Sequence, residues 1–91
     1  MDKVIFDRVK KDLRKLPAYI RVELYDWAKA VELEGLRNIR KCPSYHDEPL
    51  KGERFGQRSI KLSRGYRAIY SENKNGEINI ILIEEVNKHD Y

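Results

Sequence analysis

The chain has 91 residues, 41% of them hydrophobic and 37% charged, which allows one small domain (1–91) with a single two-layer core and leaves no room for a second. The apolar residues fall in periodic groups, as in a folded protein. None of their runs approaches the roughly 18 residues of a membrane span, and Met1-Asp2-Lys3-Val4 lacks the layout of a signal peptide, so a cytoplasmic protein is expected. A single cysteine, Cys42, excludes an internal disulfide and a cysteine-based zinc or redox motif.

The net charge of +4 is unevenly spread: residues 51–70 hold six Lys/Arg against one Asp/Glu, whereas residues 71–91 hold two against five. The six cations are Lys51, Arg54, Arg58, Lys61, Arg64 and Arg67. A local excess of this kind suits phosphate, because Lys and Arg displace the counterions condensed on a nucleic acid.

In chain order, Lys3-Val4-Ile5-Phe6 predicts a first strand that runs into a helix N-capped by Asp7. Val9, Leu13 and Leu16 give that helix its apolar face, and Pro17 ends it because it has no N–H to donate. Its other faces carry Arg8, Lys10, Lys11, Arg14 and Lys15, which read first as an ordinary solvated surface, with RNA contact as the alternative. Pro17 also suits the first turn of a second helix, whose stripe Ile20, Leu24, Trp27 and Val31 stops at Gly35. Trp27 stands among aliphatic residues at helical spacing and is therefore expected in the core, not as a platform for stacked bases. Leu36 and Ile39 predict one more turn before Pro43, and residues 43–56 a loop.

Residues 59–70 predict a β-hairpin. Ile60 and Leu62, then Tyr66, Ala68 and Tyr70, alternate with polar residues around the turn Ser63-Arg64-Gly65. If Ile60, Leu62, Ala68 and Tyr70 face the core, the period of two sends Ser59, Lys61, Arg67 and Ile69 to the other face, with two cations on one patch. That pair alone also describes a solvated strand face. Ser71–Gly76 predicts a second turn, and the β-branched run Ile78–Ile83 a strand inside the sheet, before a polar close from Glu84 to Tyr91. The order βααβββ is that of an α+β domain, an antiparallel meander with a helical hairpin packed on one face of the sheet.

Several segments, in this order and spacing, resemble the RelE/ParE superfamily of toxins from type II toxin–antitoxin modules. They are Glu48-Pro49-Leu50-Lys51, Ser59-Ile60-Lys61-Leu62, Gly65-Tyr66-Arg67-Ala68-Ile69-Tyr70 and Lys88-His89-Asp90-Tyr91. The resemblance covers the element order of the whole chain. It implies an mRNA interferase like RelE, YoeB and HigB: a ribosome-dependent endoribonuclease that cuts mRNA in the A site without a metal or other cofactor, and that a cognate antitoxin restrains. Arg67 would stabilise the phosphate, with Lys61 adding charge or helping to activate the nucleophile. His89 would transfer a proton, Tyr91 would stack on or position the substrate, and Glu48 would be a general base, with His46 a weaker candidate in the same loop. Asp90 departs from the pattern and leaves the general acid open. Lys51, Arg54, Arg58, Arg64 and Lys88 would contact RNA. The alternatives are a ParE-like inhibitor of DNA gyrase without enzymatic activity and a toxin-like domain that only binds RNA or a partner; the polar chain end favours cleavage.

Overall fold

The apolar run near the N-terminus forms strand β1 (Asp2–Ile5), in a computed structural model that describes residues 1–88. A 3-10 turn, Asp7–Val9, follows, and then helix α1 (Lys10–Lys15). Asp7 is not the N-cap. Val9 holds that position for α1 and Phe6 the one before the 3-10 turn; the Phe6 ring meets Tyr25 edge-on with centroids 5.1 Å apart, and the Asp7 carboxylate instead lies 3.9 Å from Lys10 Nζ. Pro17 forces Leu16 into extended backbone (φ −82°, ψ 151°) and α1 ends there, as expected. The Arg21 guanidinium donates to the carbonyls of Leu13 and Leu16, placing a cation on the C-terminal carbonyls of α1 and tying it to the next helix.

Helix α2 (Ala18–Glu34) carries the predicted stripe, and Ile20, Leu24, Trp27 and Val31 are all fully buried. The Trp27 and Tyr70 rings pack with centroids 5.4 Å apart. Gly35 stops α2 at φ +87° and ψ 140°, a conformation that only glycine adopts readily, and α3 (Leu36–Ile39) adds the short extra turn. Asp2 Oδ2 accepts the Leu36 N–H at 2.6 Å, and Glu32 Oε2 accepts the Val4 N–H at 2.9 Å, so carboxylates satisfy both a helix start and an edge strand.

The remaining strands are β2 (Glu48–Pro49), β3 (Gln57–Lys61), β4 (Tyr66–Asn75) and β5 (Ile78–Lys88), in the spatial order β1-β5-β4-β3-β2. The α+β architecture is as expected, with three differences in the sheet. Because β1 runs parallel to β5 the sheet is mixed, and the expected loop 43–56 contains β2, which pairs with β3. Residues 71–75, expected as a turn, continue β4 opposite Ile78–Leu82, so the reversal is only Gly76-Glu77. Their polar side chains are tolerated because this end of the hairpin is mostly exposed.

Between β4 and β5 the register shifts: Ile69 faces Glu85 but Tyr70 faces Ile83, leaving Glu84 as the extra residue of a bulge. Glu84 accepts a 2.6 Å hydrogen bond from Ser71 Oγ and pairs with Arg8. Ile60, Leu62, Ala68, Tyr70, Ile81, Ile83 and Val86 form the inner face and join the helical residues in one core. Among the described residues no helix is long and apolar enough to cross a membrane.

Candidate active site on the outer sheet face

On the outer face, Lys61 of β3, Arg67 of β4 and Asn87 of β5 stand directly across from one another. Residues opposite in register share a face, so the two cations meet as the period of two required. Arg67 is half-buried, and its Nε–H donates to Asn87 Oδ1 at 3.3 Å. That contact fixes the inner edge of the guanidinium and leaves the terminal nitrogens as the forward donors. Lys61 is exposed.

Beside them opens a cleft of about 290 Å³ lined by His46, Glu48, Ser59, Lys61, Tyr66 and Arg67. Glu48 reaches it because β2 pairs Glu48 with Ser59, and His46 Nε2 lies 3.5 Å from Glu48 Oε2. The cleft thus brings two cations, a carboxylate and an imidazole around one space. A guanidinium fork can hold two phosphate oxygens, while the imidazole and the carboxylate can accept or return protons.

The next row, Glu48–Ser59–Ile69–Glu85, explains why Ile69 is fully buried on a face expected to be open. Arg54, in the loop before β3, donates through Nη2 to Glu85 Oε2 on β5 at 2.5 Å, a bridge that passes over β4 in this row. Arg54 therefore belongs to the outer face, but its charge is already matched.

Three of the expected RNA contacts lie elsewhere. Arg58 is on the inner face with Ile60, where its Nε donates at 2.6 Å to Oδ1 of Asp47, a carboxylate with no exposed side-chain surface. Tyr70 Oη donates to the other Asp47 oxygen at 2.5 Å, and burial, then the adjacent Asp47 charge, holds the Tyr70 phenol well above its ordinary range. Arg64, in the left-handed region at φ +56°, turns back over the Tyr19 ring of α2 at 5.7 Å. Lys88 lies 5.9 Å from the centroid of its cross-strand neighbour Tyr66, on the face that Ala68 and Val86 share. The charge excess of residues 51–70 is real but divided between two faces, which a count of charges does not reveal. Lys51 is exposed in the loop after β2, outside the residues that line the cleft. His89, Asp90 and Tyr91 lie outside the described residues.

A larger depression, about 670 Å³, lies at the far end of the sheet among Arg37, Arg40, Glu72, Lys74, Glu77 and Asn79. None of the expected site residues among the described ones lines it, and Glu72 there takes hydrogen bonds from both Arg40 and Asn79.

No family model matches the sequence, and no curated protein matches it. Solved structures do match along nearly its whole length. A YoeB/ParE toxin from Agrobacterium tumefaciens superposes with a TM-score of 0.70 at 16% identity, covering 97% of this chain and 99% of that one. The toxin–antitoxin complex RelBE2 from Mycobacterium tuberculosis gives 0.67 at 26% identity, covering 96% of each chain. The chain has the RelE/ParE toxin fold. YafQ from E. coli adds a third match, with a TM-score of 0.64 at 13% identity over 97% of this chain and 93% of that one. Within this RelE/ParE fold, Arg67 is central on the outer face of the sheet, opposite the helices. Asn87 and Glu85 there, and Asp47 behind, escaped the sequence reading. Asn87 stood in view in the polar last strand, but its register with Arg67 depends on the bulge at Glu84.

Proposed function

We propose that this chain is the toxin of a type II toxin–antitoxin module and acts as a ribosome-dependent endoribonuclease on mRNA. The observation that carries the reading is Arg67, anchored through Nε by Asn87 and flanked by Lys61, at a cleft that also holds Glu48 and His46. The reaction is attack of a ribose 2′ oxygen on its own 3′ phosphorus with cleavage of the bond from phosphorus to the 5′ oxygen. The 2′ proton goes to a base and the leaving oxygen takes one from an acid, giving a 2′,3′-cyclic phosphate and a 5′-hydroxyl. Arg67 supplies the charge for the extra negative charge on the phosphorane, and Lys61 adds to it. Glu48 takes the 2′ proton. His89 serves the proton at the leaving oxygen, and Tyr91 packs against the base. The cationic face calls for a small acidic antitoxin that covers Arg67 or the 88–91 segment. The neighbour found in a toxin–antitoxin complex supports that partner.

The test is purified chain with mRNA, with and without programmed ribosomes, beside a gyrase supercoiling assay. Cut ends that require ribosomes are the expected result. Lost supercoiling with intact mRNA would place the chain with gyrase inhibitors instead.

A further inference from the structure

The segment His46-Asp47-Glu48 is built unlike an idle surface loop. Its middle side chain is driven inward, where the Asp47 carboxylate has no exposed surface and accepts bonds from Arg58 and Tyr70, two residues of the inner face. Its neighbours turn the other way, and both line the cleft that Arg67 and Lys61 share. His46 is held in the left-handed region (φ 47°, ψ 49°), uncommon for a residue with a side chain, by its own N–H to the Pro43 carbonyl at 3.1 Å. Glu48 is fixed in turn by its pairing with Ser59. Anchoring one residue thus presents an imidazole and a carboxylate side by side, Nε2 to Oε2 at 3.5 Å, toward a space whose other charged groups among the described residues are Lys61 and Arg67.

From this we infer that His46 and Glu48 act as one proton-accepting pair, with His46 the group that takes the 2′ proton and Glu48 the carboxylate that orients its ring. The inference rests on the endoribonuclease reading and refines its base: that reading gives Glu48 the 2′ proton and leaves His46 without a role, whereas here His46 takes the proton and Glu48 holds its ring. With Nε2 turned to Glu48, Nδ1 is the nitrogen that accepts. The proton passes from the 2′-hydroxyl to Nδ1 as the oxygen–phosphorus bond forms, and Glu48 bears against the imidazolium that results. Arg67 and Lys61 stay with the phosphate oxygens. The acid remains a separate group, which His89 supplies.

The decisive experiment separates base from acid with the substrate. Ribosomes are programmed with mRNA carrying either the ordinary 5′ oxygen or a single bridging sulfur at the scissile position. A thiolate leaves without help, so loss of the acid becomes silent on the sulfur substrate while loss of the base does not. Single-turnover cleavage by His46→Ala is expected to fall about 100-fold on both substrates. Glu48→Gln is expected to fall about 10-fold on both, whereas His89→Gln is slow on oxygen and restored on sulfur. Added imidazole should recover part of the His46→Ala rate. Wild-type rates in His46→Ala, or a loss that the sulfur substrate repairs, would overturn the pair while leaving the nuclease reading intact. No cleavage by the wild-type chain on either substrate would overturn the reading beneath it. His46 is exposed, and equal thermal melts for His46→Ala and wild type complete the comparison.

Discussion

Arg67 is where the proposed chemistry is most exposed to measurement. Its Nε is committed to Asn87, so the two terminal nitrogens are left to meet two phosphate oxygens, and their worth appears only when the phosphorane's charge develops. Removing a donor set of this kind costs about 3–4 kcal/mol of transition-state stabilisation, or about 10²–10³ in rate. Arg67→Ala should therefore lose that factor in single-turnover cleavage while its affinity for programmed ribosomes changes little. Arg67→Lys should recover only part, since a point charge keeps the attraction and loses the fork. The structure adds a second substitution. Asn87→Ala removes one hydrogen bond to a charged group, worth about 1.5 kcal/mol, and should slow cleavage by about 10-fold by letting the guanidinium turn. In an Arg67→Ala background the same change should have no effect, because nothing remains to be oriented. Quench-flow cleavage beside equilibrium ribosome binding reads all four variants against the wild type. Two results would refute the reasoning: ribosome affinity lost in proportion to rate in Arg67→Ala, which makes the residue a docking contact, or full additivity of Asn87→Ala.

Three further predictions concern the scaffold. The raised Tyr70 phenol keeps its proton in the fold after the unfolded chain has lost it, so stability should be intact below about pH 10 and fall above it by up to about 1.4 kcal/mol per unit. Tyr45, raised less and mainly by burial, adds to the trend, so denaturant melts of Tyr70→Phe should show the larger share of the alkaline loss removed. Trp27→Ala, which empties the centre of the core against Tyr70, should cost about 3–5 kcal/mol in the same assay. Gly35→Ala should cost about 1–3 kcal/mol by strain alone: an added Cβ would come no nearer than 3.8 Å to Asp2 Oδ2, so thermal melts unchanged from wild type would contradict the backbone argument.

What the sequence revealed, and what it hid, follows from the range of the forces involved. The stripe Ile20, Leu24, Trp27, Val31 and the hairpin alternation are local periodicities, and both were legible, including the meeting of Lys61 and Arg67. Strand β2 was not, because two residues, one of them proline, carry no period; its existence depends on pairing with β3. The polar half of β4 looked like a turn because its partner, Ile78–Leu82, supplies the apolar content for both. Charge was the least readable feature. Arg58 and Arg67 look alike in a composition count, yet one is bound to buried Asp47 and the other faces the cleft. The contact of Asn87 with Arg67 needed the bulge, and the role of Asp47 needed burial, neither of which a single chain of letters displays.

The parallel pairing of β1 with β5 also has a meaning in time. Asp2 lies beside Asn79, so β1 must wait for a strand made 77 residues later. At synthesis rates of about 5–20 residues per second, that wait is roughly 4–15 s. Until β5 arrives Val4 has no strand to pair with, β4 has only β3 beside it, and Arg67 lacks Asn87. An emerging chain therefore carries its guanidinium unaimed, and the face that holds Lys61, Arg67 and Asn87 is assembled only once β5 has been made.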